Sequence, residues 1–294
     1  MDSPNREQLA AETRRRLEGI HDIPTLPPVL LQVWDLTSRE DASAEDLARA
    51  MSGDPGLTGA ILRLANSAYF GFPRKVGTVK QAVVVLGFET VRSLATGASV
   101  FRALGAGKQG GLDAAEFFRH SLVTAMGTRL LVEKRWPQLA GSAFCAGILH
   151  DLGKLVVAEF LPWSGAGIRS RLDNGAPLEV AEAEELGMSH AEIGAWFAAR
   201  WNFPSELAAA VRWHHEPAMA EEHADFASAV HVADVLAHRA GAGGSGRTKP
   251  PRPDEAALRA VGLGEEALDD WTERITALSV EAPSPTATLG VESR

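Results

Sequence analysis

Cysteine is nearly missing from this chain of 294 residues. Cys145 is the only one, so no internal disulfide can form. Its setting in the apolar run Ala143-Phe144-Cys145-Ala146 reads as core filling rather than as a nucleophile. Tyrosine is equally scarce, with Tyr69 alone. No apolar run approaches the roughly 20 residues needed to cross a bilayer, and Met1-Asp2-Ser3-Pro4-Asn5-Arg6 lacks the apolar core of a signal peptide. A cytoplasmic protein with no membrane association is expected. Positive charge is also short: 29 Lys and Arg face 38 Asp and Glu, for a net charge of -9. Residues 1–110 hold 13 basic and 12 acidic side chains, and the remainder holds 16 and 26. Without a basic face, non-specific nucleic-acid binding is not expected. An acidic second half does suit a cation site.

What is present is helical periodicity, with capping signals and without hairpin signals. Ser43-Ala44-Glu45-Asp46, Thr78-Val79-Lys80-Gln81 and Asp113-Ala114-Ala115-Glu116 have the form of capping boxes, and Ser189 with Glu192 repeats it. Asp54-Pro55 caps and starts another helix. Val83 to Leu86 has strand propensity, but the flanking caps and the lack of a partner strand favour helix. The spacing predicts helices over residues 7–18, from Asp113 to about Val132, and around 141–160, 177–186, 190–201, 205–215, 225–240 and 254–279. The fold class is all-α. The expected organisation is an N-terminal helical arm (1–22), a two-lobed helical domain (23–110 and 111–240), a Gly/Pro-rich linker (241–253), C-terminal helices (254–280) and a disordered tail (281–294). Gly105-Ala106-Gly107-Lys108 lacks the strand and glycine spacing of a phosphate-binding loop and reads as a connection.

The stretch around which the chain is organised is Leu149-His150-Asp151-Leu152-Gly153-Lys154. Imidazole and carboxylate stand side by side in an apolar helical pattern, and buried charge is costly unless paired or bound to a metal. Both groups are good ligands for a divalent cation. Further donors stand in helical patterns: Glu116 and His120, four apart and so on one helix face, then His190, the adjacent pair His214 and His215, and Asp234 within Val230 to Leu236. His21, His223, His231 and His238 read as ordinary satisfied or exposed histidines.

The ordered pattern Glu-x-x-x-His (116–120), His-Asp-x-x-Lys (150–154), His190, His214-His215 and Asp234 resembles the HD superfamily of metal-dependent phosphohydrolases. Its ligand list is most similar to that of the HD-GYP branch. Ile23-Pro24-Thr25-Leu26-Pro27-Pro28, Asp54-Pro55-Gly56-Leu57-Thr58, Leu64-Ala65-Asn66-Ser67-Ala68-Tyr69-Phe70-Gly71 and Trp213-His214-His215-Glu216-Pro217 are similar to the HDOD domain of bacterial signalling proteins. That resemblance implies a regulatory module acting through a protein partner. It also implies one or two divalent cations (iron, manganese or similar) held by Glu116, His120, His150, Asp151, His190, His214, His215 and Asp234. If the site is catalytic, the resemblance implies hydrolysis of a nucleotide or other phosphoester, with Asp151 bridging the cations and Lys154 neutralising phosphoryl charge. His214-His215-Glu216-Pro217-Ala218-Met219 has no Gly-Tyr-Pro loop after the paired histidines, which argues against cyclic di-GMP hydrolysis.

Overall fold

The computed structural model describes residues 5–20, 26–37, 39, 41–104, 112–133, 135–247 and 250–281. His21, Ile23 to Thr25, the Gly105–Lys108 connection and the tail expected to be disordered lie outside the described residues, except that Glu281 ends the last helix. Among the described residues every regular element is helical and no strand occurs. The chain is all-α.

Helix α1 (Arg6–Glu18) is followed by α2 (Pro28–Thr37), α3 (Ala44–Met51), α4 (Pro55–Ala65), α5 (Val79–Leu86) and α6 (Phe88–Ala103). Local chemistry sets their starts. Ser43 Oγ accepts from Asp46 N while the Asp46 carboxylate accepts from Ser43 N, and Asp54 accepts from Leu57 N ahead of Pro55. Thr78 caps α5 through Gln81 N, and the Val83–Leu86 segment is helix as its caps predict. Eleven of the sixteen α6 residues are buried, which makes it an inner helix and not a surface one. Arm-like in sequence, α1 is packed down: Leu17 is fully buried, and Thr13 Oγ1 donates to the Leu186 carbonyl at 2.8 Å. Gly187 permits this approach, because its φ is 73° and a Cβ there would lie 2.1 Å from Ala10 N.

The second half starts with α7 (Ala114–Glu133), capped by Asp113 Oδ1 accepting from Ala115 N and Glu116 N. Then come α8 (Ala140–Leu149), α9 (Leu152–Phe160), α10 (Gly165–Asp173), α11 (Leu178–Leu186), α12 (His190–Arg200), α13 (Ser205–Trp213) and α14 (Ala224–Arg239). A single helix over 141–160 is expected from periodicity, but the chain breaks at His150–Asp151, where Asp151 has φ −93° and ψ 17°. The break turns the two side chains off one helical face. The expected 141–160 helix is thus two helices, α8 and α9. Helix α10 is not expected, since Gly165-Ala166-Gly167 gives it neither propensity nor an apolar stripe. Helix α14 is buried continuously from Phe226 to Ala237 and, with α7 and α8, forms the centre of the molecule. The first half packs on the second where α6 lies against α8, and Trp34, held by its Nε1 donating to Thr96 Oγ1 at 2.8 Å within the first half, sets its ring edge-on to Phe203 of the second. Helices α15 (Glu255–Ala260) and α16 (Leu268–Glu281) close the described chain against α14 and α7. No described helix is long and apolar enough to cross a membrane.

Candidate metal centre

Five elements converge on one buried hollow: the middle of α7, the α8–α9 break, the start of α12, the end of α13 and the middle of α14. His120, His150, His190 and His214 are fully buried, Asp151 and Asp234 are 1% exposed, and Lys154 is 6% exposed. Asp151 lies at the centre. Its Oδ2 is 3.2 Å from His150 Nε2 and 2.6 Å from Lys154 Nζ, while its Oδ1 is 3.3 Å from His190 Nε2 and 3.5 Å from His214 Nε2. Asp234 Oδ1 lies 3.0 Å from His120 Nε2, 3.6 Å from His150 Nε2 and 3.5 Å from His238 Nε2. The donor atoms fall into overlapping groups within 4.8 Å: Asp151 with His190, His214 and His215; His120 with His150 and Asp151; and His120 with Asp234 and His238.

The rings are oriented for ligation. His120 Nδ1 faces the Ala242 carbonyl at 3.3 Å, His150 Nδ1 the Gly147 carbonyl at 2.8 Å, and His214 Nδ1 the Val211 carbonyl at 3.0 Å. His190 Nδ1 faces Glu182 Oε2 at 2.6 Å. Each Nδ1 is anchored by an acceptor, which turns Nε2 into the hollow, and a cation there would displace any proton that the facing carboxylates hold on Nε2. His150 Nε2, His214 Nε2 and Asp151 Oδ1 are buried without a hydrogen-bond partner, and such atoms call for an explanation. Imidazole nitrogens and carboxylate oxygens together suit zinc, iron or manganese, so the residues fit a divalent cation.

Electrostatics agree with this. Burial opposes charge on Asp151, yet the neighbouring His150 and Lys154 hold its carboxyl well below the usual range. Burial likewise opposes charge on Asp234, and the imidazoles of His120, His150 and His238 around it hold its carboxyl well below the usual range. Burial pushes His214 down to about 4 and His215 well below its ordinary value, so both imidazoles are neutral. His150 is opposite: burial disfavours its charge, but Asp151 beside it lifts it to about 10. Cys145 is pushed up to about 12 by burial, which makes the thiol inert.

A pH dependence follows for the metal-free protein. His214 and His238, both lowered to about 4, bind protons more readily unfolded, so stability is lost as pH falls from 6.5 toward 4. His150, raised to about 10, contributes fully below 6.5 and loses that contribution as pH rises toward 10. Thermal melts in chelator from pH 4.5 to 9.5 are expected to peak near neutrality and to fall by roughly 5 °C or more on either side. A flat profile contradicts these charge states.

Of the residues expected from sequence, the hollow collects His120, His150, Asp151, Lys154, His190, His214, His215 and Asp234. Glu116 is not among them: it is exposed, and its backbone carbonyl accepts from Gly244 N at 3.2 Å. The corresponding position beside His120 and Asp234 is taken by His238, read in sequence as an ordinary histidine. The i,i+4 spacing of Asp234 and His238 on α14 was the available signal. Glu182, which supports His190, offered none, because the pair is joined only by the turn between α11 and α12. His231 is satisfied structurally, its Nδ1 donating to the His214 carbonyl at 2.8 Å while its Nε2 accepts from Asp254 N at 2.9 Å.

Comparison with known proteins places this architecture. An uncharacterised protein of Treponema pallidum (strain Nichols) is 29% identical over 236 residues, which cover 78% of this chain and 44% of that protein. The chain thus spans less than half the length of that relative. A Shewanella amazonensis structure, whose name provisionally makes it a phosphohydrolase, is 28% identical with a TM-score of 0.72, covering 90% of this chain and 96% of its own. An HDOD domain protein of unknown function from Geobacter sulfurreducens shares the fold, with a TM-score of 0.78 at 22% identity over 94% of this chain and 99% of its own. The HDOD domain family itself matches residues 23–217, a span that holds Asp151 and the paired histidines and stops short of Asp234. With two thirds of its length matched and the helical architecture shared, the chain belongs to the HDOD domain family.

Proposed function

We propose that this protein is a metal-binding signal-transduction module in which the hollow around Asp151 holds one or two divalent cations. His190, His214 and His215 would form one sphere and His120, His150, Asp234 and His238 the other, with Asp151 common to both. The observation that carries this reading is the set of four Nδ1-anchored imidazoles with Nε2 turned onto two ionised carboxylates. Ions bridging α7, the α8–α9 break, α12, α13 and α14 would fix the second lobe as one body, and the module would act through a protein partner. Exposed apolar side chains on the first lobe, Leu31, Val84 and Val85, offer it contact area.

A second reading, metal-dependent phosphoester hydrolysis, is favoured by one feature. His215 opens onto a cleft of about 1420 Å3, so a ligand could reach the cluster. A bound cation would supply Lewis acidity and an activated water. Asp151 would hold that centre in place, and Lys154, 2.6 Å from Asp151, would balance its charge.

Elemental analysis and a phosphoester screen on the same preparations test both readings. One to two equivalents of iron, manganese or zinc are expected, and chelation is expected to lower the melting temperature by about 5–10 °C, as metal at a large excess over its Kd adds about 4 kcal/mol. Protein purified without stoichiometric metal, and unaffected by added metal, removes both readings. Metal without turnover leaves the signalling module.

A further inference from the structure

The Gly/Pro-rich segment after α14 has the composition of a spacer, yet its described part is fastened across the mouth of the cluster. Ala242 and Ser245 are buried. Gly243, with φ 74°, lies so close to α7 that a Cβ would come within 2.2 Å of the Glu116 carbonyl. Ser245 Oγ meets His238 Nε2 at 3.0 Å, and Asp254 N donates to His231 at the far end. Between these fastenings Arg247 dips inward. Its side chain is 7% exposed. Its Nη2 donates to His215 Nε2 at 2.9 Å, its guanidinium pairs with Glu179, and its Nε is buried without a partner.

Two physical points bear on this arrangement. Arg247 Nη2 lies 2.9 Å from Nε2 and 3.4 Å from Nδ1 of His215, so its positive charge rests against the ring and opposes a cation beside it, and a cation in that sphere requires Arg247 to turn away from His215. Arg247 already lines the cleft, and Gly246 beside it has nothing near its Cβ position, so there is room for the guanidinium to turn further into it. There it joins Arg6, Arg171, Arg212 and Arg252, so that five guanidiniums face four carboxylates (Glu179, Glu184, Glu192 and Glu216) on a lining drawn mostly from the acidic half of the chain. Three of the other arginines lean on carboxylates: Arg6 and Arg212 on Glu192, and Arg171 on Glu184 and Glu185. Such carboxylates occupy positions that an incoming anion with three oxygens can share or take over. Planar forked donors beside a cation pair match a phosphate monoester better than a carboxylate or a neutral ligand.

We infer that the cleft is a binding site for a small phosphorylated ligand, and that Arg247, carried by the strap, is the residue that anchors its phosphoryl group next to His215, exchanging Glu179 for the ligand. The inference rests on the metal-binding reading of the cluster, but it concerns affinity and requires no turnover. Arg247 is a binding residue supplied from outside the span matched by the HDOD family.

Calorimetric titration of the full chain with inorganic phosphate and with AMP tests it, after manganese loading and with metal content measured on each sample. Wild type is expected to bind both probes. Arg247→Ala is expected to keep its metal and its helical circular dichroism and to bind both probes at least about tenfold more weakly, the scale of a lost charge-assisted pair. Arg247→Lys is expected to lie between, since it keeps the charge without the fork, and Glu179→Gln is expected to bind more tightly than wild type. Equal affinity in wild type and Arg247→Ala overturns the proposal, and so does tighter binding by Arg247→Ala, which would make the arginine a plug. If wild type takes up no metal, the metal-binding reading fails separately. The same comparison then still decides, because the exchange of Glu179 for phosphate is made by the guanidinium itself.

Discussion

Asp151→Ala is expected to bring metal content to zero and to destabilise the protein by about 3–5 kcal/mol, the cost of leaving a buried charge without its partner. The two losses have different origins. Metal is lost because the Asp151 oxygens lie among the Nε2 atoms of His150, His190 and His214 at 3.2–3.5 Å, whereas Glu182 meets His190 at Nδ1 and Glu179 meets His215. Stability is lost because Lys154 Nζ, in a residue only 6% exposed, has Asp151 as its anion at 2.6 Å. Removing that anion strands a buried ammonium beside the imidazoles of the hollow, without its counter-charge. The double substitution Asp151→Ala with Lys154→Met removes the stranded charge, so it is expected to recover most of the stability and none of the metal. Urea unfolding of the three proteins in chelator, with elemental analysis of each, separates the two effects. A single mutant that unfolds like wild type would show that Lys154 finds another partner, and one that retains metal would end the assignment of Asp151.

Gly153→Ala is expected to be nearly as damaging, through sterics alone. A Cβ on Gly153 would lie 1.8 Å from the His190 carbonyl oxygen and 2.8 Å from Gly194 N, so α9 and α12 are in backbone contact at this point. One methyl must push the two helices apart by more than an ångström. Overpacking of a dense core costs typically 1–3 kcal/mol, and backbone-on-backbone contact belongs at or above the top of that range. The same displacement draws His190 from Asp151, now 3.3 Å apart, so metal affinity is expected to fall by about a hundredfold, as with lost support of ligating groups. A wild-type melting temperature and wild-type metal content in Gly153→Ala would mean that the helices are not so closely apposed. Gly194→Ala, whose Cβ would meet Val211 Cγ1 at 2.8 Å and Gly153 N at 2.9 Å, is expected to be milder, because those overlaps are far smaller than the one with the His190 carbonyl.

These two residues also show what a sequence can and cannot disclose. The helical architecture was legible because it is written locally: Ser43, Asp54, Thr78, Asp113 and Ser189 each accept a backbone N–H at the helix start they mark. Most of the cluster was legible because imidazole and carboxylate in apolar helices need a reason to be there. The helix break at His150–Asp151 was not, since apolar residues run unbroken on both sides and only packing against α12 and α13 decides the turn. Nor could spacing choose between Glu116 beside His120 and His238 beside Asp234. Both pairs are four apart, and the choice depends on how α7 and α14 are rotated against each other. The strap misled for a related reason. Glycine there reads as slack, whereas Gly243 is required for close approach to α7.

His231 has a consequence of its own. A single imidazole joins the backbone of His214, inside the cluster, to the backbone of Asp254, the cap of α15. Force or displacement applied to the C-terminal helices therefore does not dissipate in a loose tether. It reaches the backbone of the paired histidines through that one ring, so that a shift of the α15 cap is expected to move His214 in the hollow around Asp151.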